Sequence, residues 1–347
     1  MNGEILAFIV YFVAIVGVGI YFFFKEKGDA TQANFFLGGR QMGPWVAAMS
    51  AQASDMSAWL LMGLPGSILA FGFGQMWIGI GLALGTAANW IFVAKRLRKF
   101  SSAAGDAITV PQYLGNRFLS KSNALQVICA IIFFVCFTIY VASAYVAGAS
   151  VFTAIFPSLS SHAAMIIFAL AMLLITFFGG FKAVCWTDFF QGILMFAALM
   201  TVPIVIAITK DMDPAALSVV YSYKDAVSGE MVECSFGTGL FDASWQDIIS
   251  GLAWGLGYFG MPHILVRFMS IEKPSMVKKS ATVAIIWVIC ALGCACLIAY
   301  FGRMFLAEEL LTAGAQKMVF IDFARKLFPS FIAGILMAAI IAASMST

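Results

Sequence analysis

Charge is what this 347-residue sequence has least of. Lys, Arg, Asp and Glu make up 11% of it, where soluble domains carry about 25%. Histidine is nearly absent, and His162 and His263 lie too far apart in sequence to form a metal-ligand signature. The seven cysteines contain no C-x-x-C pair, which removes redox and zinc motifs and leaves thiols as small apolar packing residues. No His/Asp/Glu or Ser/His cluster with catalytic spacing appears, so an enzyme has no support. What is present is apolar: 62% hydrophobic residues and a mean hydropathy of +0.97 describe an all-α polytopic membrane protein.

Nine segments are long enough to span a bilayer: 4–24, 43–70, 75–93, 123–156, 163–178, 184–208, 244–267, 280–305 and 329–347. The first follows Met-Asn-Gly-Glu, without a basic n-region or a small-residue cleavage site, and reads as a retained helix. Placing the N-terminus outside puts most of the 20 Lys and Arg in inside loops, Arg267 among them, and leaves Arg303 with the outside group. The basic start of the inside loop, Lys-Arg-Leu-Arg-Lys from Lys95, reads as a lipid-headgroup anchor. The long outside loop after Lys210 reads as a hairpin or irregular cap. Residues 313–328 read as an amphipathic surface helix.

Within the second segment, Ser54, Asp55 and Ser57 put polar groups all round the helix near mid-membrane depth, and Gly63, Pro65 and Gly66 follow. A carboxylate there costs about 3 kcal/mol on insertion scales, so it faces a cavity, a partner or an ion. The alternative is a structural acid satisfied by neighbouring serines. The seventh segment has Gly251, Gly255, Gly257 and Gly260 before Pro262, interleaved with Trp254, Tyr258 and Phe259. Helix packing through glycine and a broken helix lined by rings are both compatible with that pattern. The two interrupted segments are five helices apart and enter from opposite sides, which is a pointer to a transporter site between inverted repeats. Residues 1–41 are then an extra helix and loop, 42–210 a first repeat and 244–347 part of a second. The apolar run at Thr347 suggests a chain that continues.

Three further sites stay open between roles. Ser346 and Thr347 either bond back to their own helix or offer hard oxygen ligands to a small cation. Asp188 is a helix N-terminal charge or part of an ion exit path. Arg40 is an interfacial anchor or an inner gate charge.

Five stretches resemble the sodium/solute symporter family, and within it the sodium/proline symporters. They are Phe-Leu-Gly-Gly-Arg-Gln-Met-Gly-Pro (36–44), Ser-Asp-Met-Ser-Ala-Trp-Leu-Leu-Met-Gly-Leu-Pro-Gly (54–66), Trp-Thr-Asp-Phe-Phe-Gln (186–191), the run Trp-Gly-Leu-Gly-Tyr-Phe-Gly-Met-Pro-His-Ile-Leu-Val-Arg-Phe-Met (254–269), and the terminal Met-Ser-Thr. The resemblance implies a leucine-transporter-like five-plus-five inverted repeat with an extra N-terminal helix, its second repeat incomplete here.

It also implies a multi-pass protein of the bacterial cytoplasmic membrane that imports L-proline with Na+ as coupling ion and no cofactor. Neither catalysis nor a nucleic-acid partner is implied. The implied sodium ligands are the Ala53, Met56 and Ala343 carbonyls and the Ser346 and Thr347 hydroxyls. Asp55, Asp188 and Arg40 would serve coupling, and Ser57, Trp59, Tyr140, Trp254, Tyr258 and Pro262 the substrate pocket. Ala58 and Met261 depart from the family pattern within that pocket. Another small solute (a different amino acid, a sialic acid or a carboxylate) or a symporter-like sensor module are the alternatives.

Overall fold

The computed structural model describes residues 3–26, 31–225 and 228–346. In chain order the helices are α1 (Gly3–Glu26), α2 (Gln32–Leu37), α3 (Pro44–Met56), α4 (Gly63–Phe71), α5 (Met76–Ala88), α6 (Lys95–Ala103), α7 (Val110–Arg117) and α8 (Ala124–Ile155). They continue as α9 (Ser161–Thr209), α10 (Trp245–Ala253), α11 (Pro262–Ser270), α12 (Val277–Phe305), α13 (Ala307–Thr312), α14 (Val319–Leu327) and α15 (Ser330–Met345). Among the described residues five helices have the length and composition to cross a membrane, or six if Trp245–Gly260 and Pro262–Ser270, bent by 48° to each other, are one span.

The second predicted segment is two helices. Pro44 opens α3 at its first turn, where its missing N–H costs nothing. The helix stops because Ser57 adopts φ 50°, ψ −175°, a region that costs a non-glycine residue of order 1–3 kcal/mol. A 3-10 turn, Ala58–Leu60, links it to α4. The seventh segment breaks in the same manner, with a 3-10 stretch Trp254–Gly260 between α10 and α11. Its glycines divide between the two expected roles. A Cβ on Gly251 or Gly255 would collide with the backbone of α5 at Trp77 or Gly81, whereas one on Gly257 or Gly260 would meet nothing within 4 Å.

The third segment runs through α5, a π-helical stretch Asn89–Ala94 and α6. The fifth and sixth join as α9, interrupted at Gly180, whose φ of 59° and ψ of −172° suit only glycine.

The outside loop forms the expected hairpin, β1 (Tyr221–Lys224) antiparallel to β2 (Met231–Cys234). Arg303 holds it down. That side chain is fully buried and donates to the carbonyls of Leu69 (3.2 Å) and Cys234 (3.0 Å), while its guanidinium lies 5.0 Å from the centre of the Tyr221 ring. Arg303 is thus a structural clamp between α12, α4 and the hairpin rather than a surface charge of an outside loop. The amphipathic stretch contains α14, which buries Phe320, Ile321 and Phe323 and is fastened to α1 by a two-point Arg325–Glu4 pair at 3.0 Å.

Candidate functional site

The break in α3 releases backbone carbonyls that a continuous helix would have used internally. Tyr140 of α8 takes up two of them: its hydroxyl donates to the Asp55 carbonyl at 3.1 Å and lies 3.4 Å from that of Ser54. On the residue just before them, the Ala53 carbonyl faces the end of α15, where the Ser346 hydroxyl lies 2.8 Å away. The same hydroxyl is 3.1 Å from the Ala343 carbonyl. Three of the five expected sodium ligands therefore meet at one point, buried from solvent, with Met56 also buried at the end of α3. Thr347 lies outside the described residues.

Asp55, two residues past Ala53, is also buried, and its carboxylate oxygen Oδ2 has no hydrogen-bond partner among the described residues. The Tyr258 side chain, 2% exposed, faces the Asp55 carboxylate. Asn89, one turn beyond Thr86, donates to the Tyr258 carbonyl at 2.9 Å and fixes the 3-10 stretch against the π-helical turn. On the other side of the break, Trp59 stacks on Trp254 with centroids 5.7 Å apart. Ser57 and Trp59 line a cavity of about 600 Å³ shared with Gly63, Ser143 and Lys317, a size that suits a small solute. Pro262 opens α11, and the neighbouring His263 ring stacks on Tyr140 at 5.8 Å with both nitrogens buried and unpartnered among the described residues.

Asp188 does not join the Ala53–Ser346 contact. Its carboxylate is buried and accepts from Arg267 and from the Ser50 hydroxyl, both at 2.6 Å, and Arg267 donates to the Ser50 hydroxyl as well. This triad ties α9, α11 and α3 together three residues, about 4.5 Å of helix rise, from Ala53. The charge bias places Arg267 among the inside-loop charges. It is 5% exposed instead. The clue in the sequence was Asp188 itself, because a buried carboxylate calls for a cation and Arg267 lies only five residues past Pro262.

Arg40 sits apart, at the end of the molecule where α3 begins. It donates to the Met269 and Ala107 carbonyls at 2.8 Å each, to Ser101 at 3.1 Å and to Asp106 at 2.8 Å. Burial pulls its guanidinium below the ordinary value, and Asp106 opposes that shift. Arg98, expected at the headgroups, turns inward and donates to the carbonyls of Ile271 and of Glu272, the latter at 2.9 Å. Met42 completes this end by pairing its backbone with Ser270 (3.0 Å) and Glu272 (3.1 Å). The start of α3 and the end of α11 are thereby shut against each other.

A model of the family described as "Sodium:solute symporter family" matches residues 35–347. The chain belongs to that family. It is a multi-pass membrane protein with a leucine-transporter-like fold. A curated relative, sodium/proline symporter 2 of Staphylococcus saprophyticus, is 39% identical over 98% of this chain and 64% of its own length. The sodium/proline symporter of Staphylococcus aureus strain JH9 is 40% identical over 97% of this chain, again 64% of its length. The chain thus spans just under two thirds of these relatives. Among solved structures, a substrate-bound, outward-open Na+-coupled sialic acid symporter superposes with a TM-score of 0.73 over the whole chain and 70% of that protein, at 19% identity. That likeness concerns the fold.

Proposed function

We propose that the chain carries the ion and substrate sites of a sodium-coupled importer of L-proline that works by alternating access. The observation that carries the reading is the convergence of the Ala53 and Ala343 carbonyls on the Ser346 hydroxyl. A hard monovalent cation suits oxygen ligands from an unwound helix and a facing hydroxyl, and Met56 and Thr347 would complete that set. The relatives' names support sodium and proline as cargo.

Sodium at this point would brace the end of α15 against α3 and so fix the conformation of the break. Asp55, two residues past Ala53 in the chain, would supply the negative charge that favours a cation in a low-dielectric site. The substrate's carboxylate would meet free N–H groups at the start of α4, where the helix dipole favours an anion. Its ring would pack on Trp59, Trp254 and Tyr258, with Ser57, Tyr140 and Pro262 shaping the pocket. The Arg40 and Arg98 clamps would hold the cytoplasmic end closed while the cavity beside Ser57 and Trp59 loads. Departure of sodium would release α3 from α15, and opening would proceed through the clamps. On this reading the N-terminus is outside and the clamps face the cytoplasm, in a bacterial inner membrane. Residues 1–41 precede a first repeat at 42–210, and 244–347 belong to its inverted partner.

Radiolabelled proline uptake by the full-length protein in proteoliposomes tests the reading. An inward sodium gradient is expected to drive accumulation, and an equal potassium gradient is not. Competition by unlabelled amino acids, sialic acid and carboxylates identifies the cargo; displacement by one of those more strongly than by proline would overturn the assignment to proline.

A further inference from the structure

One apolar recess is lined by none of the proposed ion and substrate residues. A groove of about 690 Å³ runs between α3, α9 and α12, lined among others by Trp45, Met49, Ile193, Ile286, Trp287 and Lys279. It opens on the bilayer side, since Trp45 and Ile286 are more than half exposed. Its mouth is charged. The Lys279 ammonium lies over the Trp45 ring at 5.8 Å and forms no ion pair among the described residues. Lys278 is its neighbour in sequence, and no carboxylate lines the groove. From Lys279 to Ile286 the helix rises about 10 Å, so the groove leads from the membrane interface into the hydrocarbon region.

We infer that this groove is a binding site for an anionic phospholipid of the leaflet that faces the Arg40 end, with one acyl chain along Met49, Ile193 and Ile286 and the phosphate against Lys279. A protein segment laid over the groove would bury the Lys279 ammonium without a counter-charge, which is costly. A lipid phosphate supplies that charge and leaves the ammonium at the interface. The groove also has a mechanical link to the ion-binding helix. Trp287 donates from its indole N–H to the Gly192 carbonyl at 3.2 Å, and a Cβ on Gly192 would press on Met49 and Ala53. An acyl chain in the groove therefore packs against Met49, one turn of α3 before Ala53, and it stiffens the half of the broken helix that moves with the inner gate.

Tryptophan quenching by brominated lipid tests the site. The full-length protein is placed in phosphatidylcholine vesicles in which one lipid in five carries brominated chains, either as phosphatidylglycerol or as phosphatidylcholine. Brominated phosphatidylglycerol is expected to occupy the groove about fivefold more than its zwitterionic counterpart, the factor that one lysine near an anionic headgroup supplies. Lys279→Gln, an exposed substitution, removes the preference, and Trp45→Phe with Trp287→Phe removes the signal that reports it. Equal quenching by both lipids in the unmodified protein overturns the inference, as does a preference that survives Lys279→Gln. Quenching unchanged by the paired tryptophan substitutions overturns it too, because that is the result of a groove covered by protein.

Discussion

The Ser346 hydroxyl stands 2.8 Å from the Ala53 carbonyl oxygen, across a sequence separation of 293 residues. A serine near a helix end usually bonds back one turn and needs nothing else. Ser344 does this with its own Ile340 carbonyl (3.1 Å), and Ser54 with Ser50 (2.8 Å). Ser346 differs because it reaches two carbonyls on different helices while carrying a single proton. The remaining lone pairs at this junction are the kind of donor set that a small hard cation takes up.

Arg40 holds the closed end mainly through carbonyls, and the account separates it from Asp106. The Asp106 side chain is 69% exposed, so its ion pair contributes less than about 1 kcal/mol. Each bond from the guanidinium to a buried carbonyl is worth about 1.5–3 kcal/mol. In a cysteine-free background, a reporter cysteine at Met269 is expected to stay protected from thiol reagents added on the Arg40 side in Asp106→Asn and to become reactive in Arg40→Ala. Arg40→Lys falls between, because an ammonium cannot span the same acceptors. Equal labelling of the Asp106 and Arg40 variants would contradict the assignment.

The Asp188–Arg267 pair is buried on both sides, at 1% and 6% exposure. Removing one partner leaves an uncompensated charge and is expected to cost about 3–5 kcal/mol. Thermal unfolding of the detergent-solubilised full-length protein should therefore show Asp188→Asn and Arg267→Met each strongly destabilised. The double variant Asp188→Leu with Arg267→Met should be much more stable than the sum of the single effects implies. Additive losses would mean that the two side chains act independently.

Asp322 in α14 gives a pH prediction. Burial, reinforced by Glu309, pushes its carboxyl above the usual carboxylate range, against the opposing pull of Lys326 and Arg325. A raised carboxylate value favours folding while the group is protonated in both states. That contribution is lost as pH rises from the unfolded value, about 3.9, through the folded one. Asp322→Asn is expected to raise the unfolding temperature at pH 7, with the gain shrinking toward pH 4. A destabilised variant at pH 7 would show that the ionised carboxylate is instead a favourable partner of Arg325 or Lys326.

The breaks in the second and seventh segments were legible because Ser-Asp-Met-Ser and Trp-Gly-Leu-Gly-Tyr place groups at mid-membrane depth that a continuous helix would not use. The hairpin after Lys210 and the amphipathic stretch holding α14 were legible from polarity and spacing. Three arginines were not. Arg98, Arg267 and Arg303 are all buried, although the charge-bias reading counts Arg98 and Arg267 with the inside loops and Arg303 with the outside group. A side chain at the end of an apolar run can reach outward to headgroups or fold back onto carbonyls, and one-dimensional spacing is the same for both. The Ser50–Asp188–Arg267 triad escaped notice for the same reason, since its members come from three helices. The split among the seventh-segment glycines was also hidden, because it depends on which of them face α5.

Sodium dependence of proline uptake in the full-length protein, compared between Ser346→Ala and Ser344→Ala, tests the central claim most directly. Losing one hydroxyl ligand to a charge is worth about 1.5 kcal/mol or more, so Ser346→Ala is expected to raise the half-saturating sodium concentration at least tenfold. Ser344→Ala, which removes a bond within one helix, should leave that concentration near the unmodified value. An unchanged sodium requirement in Ser346→Ala would contradict a cation held between α3 and α15.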